Sequence, residues 1–202
     1  MPNYCSGTLT ITASKTLLTE ILNTIRGTDD QEGNPFDFNK VIPMPENEKE
    51  NWYDWSIKNW GTKWNSCSTE LQGNTLRFWT AWSPCLPVIR ALAKMFPEAQ
   101  FEYWYEETGV GFCGCQIYKN GCAQYIMEAS LVEYYISDDE DDNKCKFDDY
   151  KEGREEETIT VFGITDGVKQ GRIERREDMD DCVRFIKGVF IERINDKLDF
   201  AA

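Results

Sequence analysis

Two segments of helical period, each set between runs that alternate apolar and polar residues, constrain this chain more than any other feature. Thr8-Leu9-Thr10-Ile11-Thr12 alternates with β-branched residues and predicts a half-buried strand. Ser14 then caps a helix with Leu17, Leu18, Ile21, Leu22 and Ile25 on its apolar side, and Gly27 closes it. Phe36-Asp37-Phe38-Asn39-Lys40-Val41-Ile42 predicts a short second strand stopped by Pro43 and Pro45. Residues 46–73 are polar, rich in tryptophan and without regular period, so they predict a long excursion. Thr75-Leu76-Arg77-Phe78-Trp79-Thr80 predicts a third strand. Ser83-Pro84 opens a second helix whose apolar line is Leu86, Val88, Ile89, Leu92, Met95 and Phe96, ended by Pro97. Phe101-Glu102-Tyr103-Trp104-Tyr105 predicts a fourth strand. Strand, helix, strand, strand, helix, strand is the split βαβ order. It predicts an α+β, ferredoxin-like antiparallel sheet with two helices on one face.

Gly111 to Tyr118, a tight turn at Asn120-Gly121 and Cys122 to Met127 extend that sheet by a hairpin. Further on, Thr158–Thr165, a turn at Asp166-Gly167 and Val168–Arg175 predict two more strands. From about Met179 to Lys197 the residues Met179, Cys182, Val183, Ile186, Val189, Phe190 and Ile194 follow a 3.6 period and predict a helix. A C-terminal ββα unit of this size is marginal alone, so it is expected to dock on the front. The domain reading is 1–127 for the ferredoxin-like domain, 128–157 for an acidic belt or linker, and 158–202 for the docked ββα unit.

The belt follows from charge. The chain has 22 Lys and Arg, 36 Asp and Glu and no histidine, for a net −14 over 202 residues. Residues 1–100 carry 9 bases and 11 acids, whereas Glu128 to Glu157 alone carries 13 acids and 4 bases. Its densest runs are Asp138, Asp139, Glu140, Asp141 and Asp142, then Asp148 and Asp149, then Glu155, Glu156 and Glu157. Like charges so close repel, which predicts a solvated segment. The overall balance disfavours a direct nucleic-acid binder, since a polyanion recruits basic surface. The missing histidine removes the commonest general base and the usual nitrogen ligand of metals. No apolar run approaches the roughly 18–20 residues of a spanning helix. The first residues lack the pattern of a secretory signal, so a cytoplasmic location is expected.

Three stretches carry a family resemblance. They are Phe36-Asp37-Phe38-Asn39-Lys40-Val41-Ile42-Pro43-Met44-Pro45, then Trp52-Tyr53-Asp54-Trp55 running into Asn59-Trp60-Gly61-Thr62-Lys63-Trp64-Asn65, then Phe78 through Pro87. With Pro2-Asn3-Tyr4-Cys5-Ser6 and Gly111-Phe112-Cys113-Gly114, they resemble the YubB-like proteins of phages and conjugative plasmids over roughly residues 1–125. The resemblance implies a ferredoxin-like domain and a mobile-element accessory protein inside a bacterium. It implies no catalytic residue.

The chemistry-bearing candidates are few. Cys113-Gly114-Cys115 and Cys122 suggest a metal knuckle, but i, i+2 spacing in a strand puts both thiols on one face, where they pack as small apolar groups. Without histidine or a second C-x-x-C, no metal and no other cofactor is expected. Adjacent Glu106 and Glu107 point to opposite faces of a strand and cannot share a site. Trp52, Trp55, Trp60 and Trp64, interleaved with Asp54, Lys58 and Lys63, offer stacking faces or a flat anchor, against a bland reading in which they cover a small sheet.

No nucleophile, base and orienter set is found, so no enzyme is expected. The leading expectation is a protein that binds and inhibits a host defence protein or complex with a basic nucleic-acid channel, such as a CRISPR or restriction-type effector. The acidic runs above would mimic nucleic acid, with Tyr134 and Tyr135 as apolar anchors. The alternative is a single-stranded nucleic-acid binder using the sheet and the Trp-rich segment. The oligomeric state is left open.

Overall fold

The computed structural model describes residues 3–27, 34–135, 158–165, 168–179 and 182–193, with side chains described up to residue 128. In chain order the elements are β1 (Tyr4–Thr12), α1 (Lys15–Ile25), α2 (Trp52–Trp60), β2 (Cys67–Gln72), β3 (Thr75–Ala81), α3 (Leu86–Met95), β4 (Gln100–Glu107), β5 (Phe112–Lys119), β6 (Cys122–Tyr135), β7 (Thr158–Thr165), β8 (Val168–Met179) and β9 (Cys182–Arg193). The first four strands lie in the order β2-β3-β1-β4, all antiparallel. This is the ferredoxin-like arrangement that the alternating periods predict.

The second strand is not where the sequence puts it. Phe38–Lys40 is a 3₁₀ turn, and the pairing role falls to Cys67–Gln72, inside the supposed excursion. Side chains explain the difference. Asp37 Oδ1 accepts from Asn39 N at 2.9 Å and Asn65 Oδ1 accepts from Phe38 N at 2.8 Å. Those donors are therefore unavailable to a strand ladder. The excursion itself is ordered: Glu46–Asn51 forms 3₁₀ turns leading into α2, which buries Ser56 and Trp60 and ends at Gly61 with φ 79°.

Helix α1 matches its sequence signal closely, with Ser14 Oγ accepting from Leu17 N at 3.3 Å and Ile21 and Ile25 buried. Helix α3 starts two residues later than Ser83-Pro84 predicts, after an N-cap at Cys85. Its Val88, Ile89 and Leu92 are buried as read, while Met95 is exposed. Asn120 and Gly121 both take positive φ, at 55° and 72°, as a two-residue hairpin turn requires.

The C-terminal region departs furthest. Residues 182–193 form strand β9, paired with β6 on one side and β8 on the other, in place of the predicted helix. Val183, Phe185, Ile186, Val189, Phe190 and Ile191 are β-branched or aromatic, and Gly188 weakens any helix through its middle. Strand β6 also continues to Tyr135, so the first part of the predicted acidic belt is a paired strand. The complete sheet has nine described strands in the order β2-β3-β1-β4-β5-β6-β9-β8-β7.

The core lies between the helices and one face of the first strands. Cys5, Leu9, Ile11, Leu76, Phe78, Phe101, Tyr103 and Tyr118 are fully or almost fully buried there with Phe36, Phe38, Val88, Ile89 and Leu92. Two glycines make room for tyrosines. A Cβ on Gly7 would stand 2.9 Å from the Tyr103 ring. One on Gly114, opposite Tyr105 in the β4–β5 register, would overlap the Tyr105 phenol. Gly114→Ala is therefore expected to destabilise the fold by about 1–3 kcal/mol through overpacking, measured by denaturant unfolding. An unchanged midpoint would contradict this account of the Tyr105 seat.

Candidate partner-binding surface

The sequence places its partner-contacting acids outside the described residues. Asp138, Asp139, Glu140, Asp141, Asp142, Asp148, Asp149, Glu155, Glu156 and Glu157 all fall there. Tyr134 and Tyr135 end β6, in register with Val183 and Cys182 of β9. What the structure does bring together is a set of aromatic side chains that sequence reasoning only half located.

The segments 59–65 and 78–87 converge on one end of the sheet. Thr62 Oγ1 donates to Ala81 O at 2.9 Å and accepts from Ala81 N at 3.0 Å. Ser83 Oγ donates to Gly61 O at 2.6 Å, and Trp82 N donates to Asn3 O at 3.0 Å. Gly61 is held at positive φ with its Cα against Pro87, where a Cβ would come within 2.8 Å of the proline ring. These bonds fix two loops side by side and aim their side chains at the same place. Trp64 and Trp82 stand with ring centroids 6.4 Å apart. Trp82 has φ 66°, a left-handed conformation uncommon for a bulky residue.

Lys63 reaches into this cluster. Its Nζ lies 4.9 Å from the Trp82 ring centroid, 5.1 Å from Trp64 and 5.7 Å from Tyr53 on α2, all within the range of a cation–π contact. Among the described residues the ion pair is Lys49 with Glu46, so Lys63 is held by ring faces and no carboxylate. Of the four tryptophans read from the excursion, Trp60 is buried, donating Nε1 to Ile42 O at 2.9 Å. Trp55 packs edge-on against it at 5.4 Å. Both fit the covering role. Trp52 is exposed and Trp64 joins the Lys63 cluster, so these two do not.

A second aromatic group occupies the sheet face opposite the helices. Tyr4, Trp79 and Trp104 are 46%, 45% and 47% exposed. Tyr4 and Trp79 contact at 5.3 Å. Trp79 and Trp104 face Ser6 and Thr8 of β1 from its two sides, two residues apart along the strand. Trp104 Nε1 donates to Glu102 Oε1 at 2.6 Å, which fixes its indole. The signal for this face was in the sequence: alternate residues of β3 and β4 are large on both sides, which leaves one aromatic set outside.

The remaining candidates resolve as structural. Glu107 is buried and accepts from Gly109 N at 3.0 Å and from Val110 N, closing a turn. Its neighbour Glu106 belongs to the opposite face, as strand alternation requires. Cys113 and Cys115 share one face of β5 with Ile117, packed with Met127 and Tyr125. Burial pushes the Cys115 thiol up to about 12, with Glu102 adding to the rise. Burial likewise lifts Cys5 to about 12, against lowering bonds from Thr80 and the Glu106 backbone and with the Glu107 charge adding to the rise. No group of three or more metal-ligating side chains comes together among the described residues. No helix among them is long and apolar enough to cross a membrane.

Residues 59–162, from the end of α2 into β7, match the family described as "Ferredoxin-like domain in Api92-like protein". Among solved structures, the chain is similar to protein api92 from Yersinia pseudotuberculosis at 21% identity and a TM-score of 0.38. That similarity covers 42% of this chain and 36% of the Yersinia protein. No curated protein matches the chain.

Three outcomes follow from these contacts. Thr62→Val strands the buried Ala81 N–H, while the Ala81 C=O keeps its bond from Ser83 N at 2.8 Å, at an expected cost of about 1–3 kcal/mol in denaturant unfolding; a loss near zero would mean the loops are not held as described. Alkylation at pH 8–9 should leave Cys5 and Cys115 unmodified in the folded protein, because their thiols stay protonated well above the ordinary value of 9.0. Between pH 9 and about 12 the unfolded chain releases those protons and the native one does not, so stability should fall across that window. Rapid labelling of both thiols, read by mass spectrometry, would contradict their burial.

Proposed function

The chain belongs to the family of Api92-like proteins that carry a ferredoxin-like domain, and from that premise we propose that it is a non-enzymatic accessory protein of a phage or conjugative plasmid, akin to the YubB-like proteins. It acts in the cytoplasm of the bacterial host. There it binds and inhibits a nucleic-acid-handling defence protein, of the CRISPR or restriction type.

The observation that carries a binding role is the exposed aromatic surface. Tyr4, Trp79 and Trp104 stand nearly half exposed on a rigid sheet, and aromatic side chains on rigid supports are the usual anchors of protein interfaces. They take the anchoring role that the sequence reading gave to Tyr134 and Tyr135. The acids between Glu128 and Glu157 supply the second ingredient, a field that attracts a basic channel and speeds encounter. Anchors then govern the lifetime of the complex, and charge governs its formation.

A single-stranded nucleic-acid binder is the second reading, favoured by Trp79 and Trp104 on the open sheet face, where bases stack in RNA-recognition modules. The net charge of −14 opposes it.

Capture of host proteins on the immobilised full chain, followed by binding kinetics with the captured protein, tests the proposal. The partner should be a nucleic-acid-handling protein. Replacing Asp138, Asp139, Glu140, Asp141 and Asp142 by Asn or Gln should slow association and flatten its salt dependence. Trp79→Ala with Trp104→Ala should speed dissociation, at a cost of about 2 kcal/mol or more. Binding indifferent to both salt and these substitutions would sink the proposal. Micromolar or tighter binding of a labelled single-stranded oligonucleotide at ~50 mM salt would replace it with the second reading.

A further inference from the structure

We propose that Tyr53, Trp64 and Trp82 form a cation-binding aromatic cage, occupied in the free protein by the chain's own Lys63, which gives way to an arginine side chain of the partner. Three features of the cluster point to a ligand site. Rings from three places in the chain, helix α2 and the loops after α2 and β3, converge on one ammonium within 5.7 Å. Core packing does not require this, because Tyr53 and Trp82 are 40% and 39% exposed. The cage is also preformed: reciprocal bonds between Thr62 and Ala81, and the bond from Ser83 to Gly61, hold its two loops together. Lastly, Trp82 is kept in a left-handed backbone conformation, which surrounding structure must impose, and such conformations concentrate at ligand clamps.

Lys63 identifies the chemistry. Its ammonium sits among ring faces with no carboxylate partner among the described residues, so the rings themselves are the attractive element for positive charge. Lysine is a weak occupant of such a site, being a compact and strongly hydrated point charge on a flexible stem. A guanidinium is planar, less hydrated and stacks on indole faces, so it competes well for the same place. When it enters, Lys63 swings out to water. A partner with a basic nucleic-acid channel is rich in the side chains that would enter. The inference rests on the proposed function only for the source of that arginine; the cage itself is defined without it.

The test uses the full-length protein and small cations, so it does not depend on finding a partner. N-acetyl-arginine amide is titrated while the indole N–H resonances of Trp64 and Trp82 are followed, with N-acetyl-glutamine amide as the neutral control. Trp60, in the core, reports that each variant is folded. Arginine amide should shift both indoles and the glutamine amide should not. Lys63→Ala empties the cage and should strengthen arginine binding about twofold to fivefold, the strength of one exposed cation–π contact. Trp82→Gly, which suits the left-handed backbone, should abolish binding in the Lys63→Ala background, and Tyr53→Ala repeats the test from a different element. Equal binding with and without Lys63, binding that survives loss of the rings, or equal response to the neutral amide would each overturn the cage. If the cage takes arginine yet the captured host protein binds Trp82→Gly as well as wild type, the cage stands and its role in partner binding is lost.

Discussion

The ring of Phe78 joins the two halves of this fold. It stacks on Tyr103 of β4 in the same sheet at 5.9 Å and 2° between planes, and it meets Phe36 and Phe38 edge-on at 5.1 and 6.3 Å. The first contact belongs to the sheet and the other two to the segment between α1 and α2. Only because Gly7 has no Cβ can the Tyr103 and Phe78 rings lie flat against β1. Aromatic pairs in such geometry contribute beyond their buried area. Polar side chains then complete the attachment: Asn65 binds the Asp37–Phe38 backbone and carboxylate, and Asn34 and Ser66 bind each other. The segment from 34 to 66 is thus an integral layer of the domain, and the loops bearing Lys63 and Trp82 inherit its rigidity.

The sequence reveals those elements whose own residues decide their conformation. Leu17, Leu18, Ile21, Leu22 and Ile25 can bury together only on a helix, and Thr8 to Thr12 only as a strand, so β1, α1, β3, α3, β4 and the β5–β6 hairpin are legible. Phe36–Ile42 reads as a strand by composition, yet its backbone donors are taken by Asp37 and by Asn65, the latter 27 residues away. No local pattern contains that partner. Residues 182–193 fail differently. A 3.6 period can be drawn through Cys182, Val183, Ile186, Val189 and Phe190, but the alternation fits as well. Pairing with β6 and β8 on both sides decides between them.

The candidate surface shows the same division. Trp64 and Lys63 are adjacent in a segment that draws attention by composition alone, and the exposed aromatics of β3 and β4 follow from strand alternation. Their convergence is not readable. Trp82 reaches Lys63 only because β3 ends beside the loop after α2 and because its own backbone turns left-handed. A side chain 19 residues away in sequence is brought into place by tertiary hydrogen bonds, and neither period nor propensity encodes them.

Strand β6 carries a consequence for how the chain can be divided. It pairs with β5 through Ser130 and with β9 from Tyr125 onward, so over Tyr125–Ser130 its backbone serves two neighbours at once. Removal of β7 to β9 would bare that rung, leaving a long row of unpaired amides and carbonyls on a flank free to recruit another chain. The C-terminal strands therefore cover the β6 flank and carry the sheet's open edge outward to β7, so a shortened protein would offer β6 for pairing where the longer one offers β7.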